Sequence, residues 1–390
     1  MTRHILPLLA RHKDEEHRAA TQLELLFDLV IVIAIAAAAH GLRHEISGGH
    51  LQAGIIRFLM AFFCVWWPWN LFTWFATSFD NDDAAYRVNV MAIMFGAMFV
   101  AAGMPGFFEF ATLEYIYIGY VIMRLASAVL WIRAGIANPQ FRTTAARYSI
   151  GQVFLQALWG VVVFATEPGS TLFFGLFAVG VLGELLIPWH AERAGNTHWN
   201  RHHIIERFGL LNIIVLGEVL LGSTEALETA FASGFSADLF AIPLCGVVIA
   251  FAMWWLYFSE ADHLQTTEVK RVFVWGYGHF LVFSAGAAAG AGLGVMIDSI
   301  TSAPGEGASV GVAAFAVSIP VGLYVTGLWL VRDRYVLRSS HGWVLLVFAA
   351  VIAVSGFLPY APVPTAILLV ACLLVRLRGK KRDDRGTQPA

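Results

Sequence analysis

Glu24, Asp28, Glu206 and Glu218 are acidic side chains set into two of the most apolar stretches of this chain. The first pair lies in LELLFDLVIVIAIAAAAH (23–40), the second in ERFGLLNIIVLGEVL, which begins at Glu206. An ionised carboxylate inside a bilayer costs several kcal/mol, so it needs a partner, a proton or a water-filled path. Glu24 and Asp28 are four apart, hence on one helical face, with Asp28 about 6 Å deeper. Two readings are open for them: a protonatable or cation-coordinating group facing a bundle interior, or a structural ion pair with Arg57 or Arg124, the natural positive counterparts. Arg57 is close enough to the outer end of its span to snorkel, whereas Arg124 lies midway along its own.

The second stretch offers His203, Glu206, Arg207, Asn212 and Glu218, with Glu218 about 18 Å beyond Glu206 along a helix axis. These residues form either a polar ladder beside a permeation path or hydrogen-bonding glue between helices. His203 and Glu206 also have the types of an acid–base pair that would act on a lipid. His279 is either a hydrogen-bonded core histidine or a proton relay, and Glu184 reads as a carboxylate reaching an interface. His198, His202 and Glu206 repeat every four residues, but the helix need not extend back to His198, and no metal site is assigned. No catalytic residue and no cofactor are assigned either, since no phosphate loop, HExxH or G-x-S-x-G elbow occurs.

The elements that would position these residues follow from composition. Hydrophobic residues make up 58% of the 390 and charged ones 13%, with a mean hydropathy of +0.69, whereas a soluble domain carries roughly 25% charged residues. Apolar runs long enough to span predict an all-α polytopic membrane protein with twelve helices, over 23–40, 51–76, 88–108, 112–132, 148–166, 171–189, 203–221, 239–259, 272–297, 310–331, 342–358 and 361–376. With both termini cytoplasmic, every Lys and Arg except Arg43, Arg57 and Arg124 falls on the inner side, including Lys13, Arg87, Lys270 and Arg338. The outer loops carry acids such as Glu109, Glu167, Asp298 and Glu306. The polar segment 1–20 is not a cleaved signal, and the tail 378–390 is a basic topology anchor touching lipid headgroups rather than nucleic acid. Cys64, Cys245 and Cys372 all sit in apolar runs and read as small hydrophobes.

The chain also repeats itself. RVNVMAIMFGAMFVAA from Arg87 aligns with RVFVWGYGHFLVFSAG from Arg271, Trp66–Trp67 with Trp254–Trp255, and Phe27 with Phe208. The offsets imply two parallel six-helix halves, 21–190 and 191–377. Gly286, Gly290 and Gly294 are spaced for close helix approach, and Pro68 and Pro105 are placed to break or kink their helices. Trp66, Trp67, Trp69 and Trp74 read as an interfacial belt.

Two of these motifs resemble the bacterial low temperature requirement A (LtrA) family. Arg18, Thr21, Glu24, Phe27 and Asp28 match its opening R-A-T-x-L-E-L-F-F-D-L-V-F-V pattern, with Leu26 where Phe is usual. His203, Glu206, Arg207, Phe208, Gly209 and Glu218 match H-x-x-E-R-F-G-L-x-x-I-I-x-L-G-E, and Trp254–Phe258 and the His279 region are also similar. The resemblance implies a polytopic bacterial membrane protein, tied by name to growth in the cold and carrying no established substrate. LLFDLVIVIAI is also similar to the first-helix F-S-D motif of lysosomal-type potassium channels, although here Phe27 stands directly beside Asp28. The leading expectation is therefore a secondary transporter or ion channel of the inner membrane, with a small ion or proton, membrane lipids and a second copy of the chain as partners. The alternatives are a lipid-modifying membrane enzyme and a structural or sensory protein for cold adaptation.

Overall fold

In a membrane an apolar run forms a helix because no water is present to satisfy its backbone amides and carbonyls. The computed structural model obeys this throughout. It describes residues 5–12, 18–232, 237–260, 264, 266, 268–302, 307–336 and 342–386. Lys13, Glu306 and Arg338, which the charge pattern uses, lie outside them.

The helices are α1 (Gln22–Ser47), α2 (Leu51–Ser78), α3 (Ala84–Phe110), α4 (Glu114–Ala137), α5 (Arg142–Ala165), α6 (Thr171–Glu192), α7 (Arg201–Ala232), α8 (Ala237–Phe258), α9 (Val269–Thr301) and α10 (Val310–Leu328). A π-turn at Trp329–Asp333 extends α10, and helices Val344–Val354 and Pro362–Gly386 follow. A helix thus covers each of the apolar runs read from the sequence. Among the described residues, nine helices are long and apolar enough to cross a membrane. α7, Val344–Val354 and Pro362–Gly386 are not among those nine. The described residues form no strand, only an isolated bridge between Ala10 and Phe79.

Pro68 and Pro105 do not break their helices, and α2 and α3 run on through them. Polar caps instead set the helix ends. Asp83 accepts the amide of Tyr86 to start α3, and Ser170 accepts that of Phe173 to start α6. Ala111, in the left-handed region at φ 56°, closes α3.

The chain divides into two compact units: Met1–Ala37 with Ala61–Arg207, and Ala38–Met60 with Phe208–Ala390. The division falls inside α1, α2 and α7, so each of these helices contributes to both. In the first unit α3 packs on α4, α4 on α5 and α5 on α6. Gly96 and Gly119 bring α3 and α4 so close that a Cβ on Gly119 would lie 2.4 Å from the Gly96 carbonyl oxygen. In the second unit α9 packs on α10, α10 on Val344–Val354, and Pro362–Gly386 on α8.

The Gly286, Gly290 and Gly294 run does provide close approach: the three glycines abut Val215, the Glu218 backbone and Arg43. Large apolar side chains such as Phe110, Ile136, Ile150 and Phe154 are exposed while charged ones such as Arg124 and Glu184 are buried, an inversion suited to lipid.

Candidate functional site: buried charge clusters

Thr21 caps α1, and its neighbour three residues on is Glu24. The two bond reciprocally: the Glu24 amide donates to Thr21 Oγ1 at 3.2 Å, and the Thr21 amide to Glu24 Oε2 at 2.8 Å. This leaves Glu24 Oε1 facing three basic groups. Arg207 Nη1 and His203 Nε2, both on α7, lie 3.1 Å away, and Arg18 Nη2 donates at 3.2 Å. One turn deeper, Asp28 Oδ1 accepts Arg207 Nη2 at 2.6 Å and the Trp69 indole at 2.8 Å. Arg18 also donates to the Ala76 carbonyl at 2.7 Å and to Asp80 at 3.2 Å. Burial pushes the Asp80 carboxyl up, against the opposing pull of Arg18. The side chains of Arg18, Glu24, Asp28, His203 and Arg207 are all buried.

The two sequence motifs therefore meet in the first unit, Glu24 and Asp28 from one and His203 and Arg207 from the other. The expected counterparts of Asp28 are corrected. Arg57 pairs with Glu45, twelve residues before it, and Arg124 pairs with Glu184. The His203–Glu206 acid–base pair is not formed either, because His203 turns to Glu24 while Glu206 is exposed. His198 precedes α7 and packs edge-on against Phe141, off the helix that carries His202 and Glu206. Among the described residues no group of three His, Cys, Asp or Glu is placed to hold a metal ion.

Glu184 is the residue the sequence reading underrated. Instead of reaching an interface it is fully buried. Its Oε2 accepts Arg124 and Trp67 (3.0 Å), and its Oε1 accepts Tyr120 (3.2 Å) and Trp159 (3.3 Å). Trp67 and Trp69 are thus hydrogen-bond donors to buried carboxylates rather than members of an interfacial belt. Ser149 bonds to the Ala128 carbonyl and Tyr117 to the Gln156 carbonyl, which puts Gln152 level with Arg124 across α4 and α5. Both polar atoms of Gln152, and Nε and Nη1 of Arg124, have no hydrogen-bond partner among the described residues. Two glutamines four apart in an apolar run were the available signal.

In the second unit the polar residues divide differently. Asn212 accepts the Tyr324 hydroxyl at 2.9 Å, and His279 bonds to the Trp275 carbonyl (2.7 Å) and the Tyr257 hydroxyl (3.1 Å). Arg43 holds Glu225 and Asp298 together, and Ser47 adds a bond to Asp298 at 2.7 Å. Asp333, in the π-turn, is clamped by Arg332 at 2.7 Å and Arg376 at 3.2 Å. Glu218 stands apart. Halfway along the 32-residue α7 and partly buried, it has no ion pair or hydrogen bond among the described residues.

Residues 19–377 match the sequence pattern of a family described as bacterial low temperature requirement A protein (LtrA). No curated protein matches the chain, and no solved structure does.

Proposed function

Because this chain belongs to the bacterial LtrA family and is an integral, multi-pass membrane protein, we propose that it is a secondary transporter in which Glu218 is the carboxylate that changes state. One observation carries this reading. Glu24, Asp28, Glu184 and Asp333 each meet an arginine, and Glu218 alone of these intramembrane acids has none among the described residues. A carboxylate so placed needs a proton, an ion or water, and its helix packs tightly through Gly290. The paired acids form the fixed frame.

The finer architecture belongs to the same proposal. All twelve apolar runs cross the inner membrane of a bacterium, in halves 21–190 and 191–377, with both termini cytoplasmic. The repeated neighbour-to-neighbour packing of α3–α6 and of α9 through Val344–Val354 supports two halves, and the inward bias of Lys and Arg supports the orientation. Lipids and a small ion or proton are its partners, and the oligomer is a second copy of the chain. A structural or sensory role is the second reading, favoured by the number of acids locked in ion pairs. Gradient-driven flux in proteoliposomes, wild type against Glu218→Gln, tests between them.

A further inference from the structure

Three oxygen atoms on α1 and α2 are left over. Asp28 Oδ2, Asn70 Oδ1 and Thr73 Oγ1 are buried and have no hydrogen-bond partner among the described residues, and their side-chain owners are at most 1% exposed. A buried polar atom without a partner costs about 1–3 kcal/mol, so three together call for an explanation.

The direction in which they face can be read from their neighbours on α2. Trp69 reaches α1 at Asp28, and Thr77 accepts the amide of Asn200 at the start of α7 at 3.0 Å. Asn70, Thr73 and Thr77 follow one another at three and four residues, and Thr73 is four beyond Trp69, so Asn70 and Thr73 share the face that looks to α1 and α7. Their level agrees. With Thr77 opposite Asn200 in antiparallel helices, Asn70 stands opposite Arg207, the partner of Asp28.

The chemistry of the set is narrow: one carboxylate, one amide and one hydroxyl oxygen, with no sulfur and no imidazole. Hard cations take such ligands. The charge count limits the cation's charge. Two buried guanidinium groups, Arg18 and Arg207, face the carboxylates of Glu24, Asp28 and Asp80, and Arg11 stands 3.5 Å from Asp80 with its side chain 26% exposed. With Arg11 counted, three guanidiniums balance three carboxylates, so a cation held here carries a single charge at most.

We propose that Asp28, Asn70 and Thr73 bind a monovalent alkali cation, with Asp28 bridging it to Arg207. The site is separate from Glu218, and its test reads stability instead of flux, so either proposal can fail alone.

The test is the thermal midpoint of the full chain in detergent at about pH 8. Sodium, potassium and choline chloride are compared at equal ionic strength. A cation bound only by the folded state raises the midpoint by several degrees in sodium or potassium over choline. Thr73→Val and Asn70→Leu, each removing one oxygen at little change of volume, should abolish that increment while keeping the choline midpoint at or above the wild-type value. Wild-type midpoints that are equal in all three salts would overturn the site. So would an alkali-specific increment that survives in both variants.

Discussion

Arg207 donates to Asp28 at 2.6 Å across 179 residues of sequence. This bond, with the 3.1 Å approach of the same guanidinium to Glu24, joins the two motifs into one buried network. Its members hold α1, α2 and the start of α7 at fixed height in the first unit. Of the four acids in the two apolar stretches, Glu24 and Asp28 are satisfied by Arg207, Glu206 is exposed, and Glu218 is left partly buried without an ion pair among the described residues.

The Arg124–Glu184 pair should behave as a buried ion pair whose loss on one side is costly. Glu184→Gln is expected to destabilise by about 3–5 kcal/mol, because it strands a buried guanidinium. Adding Arg124→Met should recover most of that loss. Denaturant unfolding of the two single variants and the double variant in micelles measures it.

Thr21→Ala removes the hydroxyl half of the α1 capping box and leaves the Glu24 amide without its acceptor, while the backbone amide of residue 21 still donates to the Glu24 carboxylate. A cost of about 1 kcal/mol is expected, with Thr21→Ser near wild type. Amide exchange in the first turn of α1 should rise in the alanine variant alone.

Asp83 gives the protein a dependence on acid. Burial alone would push its carboxyl up, but the amides of Leu6 and Tyr86 and the Arg133 guanidinium outweigh it, and the net displacement is downward. A depressed folded value means the ionised form is favoured by folding. Its contribution is present above the unfolded value of roughly 3.9 and is lost as pH falls through the lower folded value. Midpoints followed from neutral pH to about pH 3 should therefore fall less in Asp83→Asn than in wild type, from a lower starting point.

Gly290 is spaced for contact, not freedom of backbone. A Cβ there would lie 2.6 Å from the Glu218 carbonyl carbon, backbone that cannot swing aside. Gly290→Ala should cost about 1–3 kcal/mol. Gly217, beside Glu218 but open to space, should accept alanine, and the contrast in thermal midpoints checks both.

The helix positions were legible because an apolar run has only one low-energy form in lipid, whatever its neighbours. The ion pairs were not. Arg124 and Glu184 are 60 residues apart and Arg207 and Asp28 are 179 apart, so nothing local connects them. Arg57 was misjudged for the opposite reason, its partner Glu45 lying just across the short α1–α2 turn. The indoles of Trp67 and Trp69 misled because a tryptophan near a span end has two uses, at an interface and as a buried donor. Glu218 could be singled out only once Glu24, Asp28, Glu184 and Asp333 had each been placed beside an arginine.

The most direct test of the central claim is flux into proteoliposomes under imposed proton, sodium and potassium gradients, comparing wild type with folded Glu218→Gln. The account predicts flux above empty liposomes in wild type and its loss in Glu218→Gln. Flux that persists unchanged in Glu218→Gln, or no flux from well-folded wild type under any of the gradients, would contradict it.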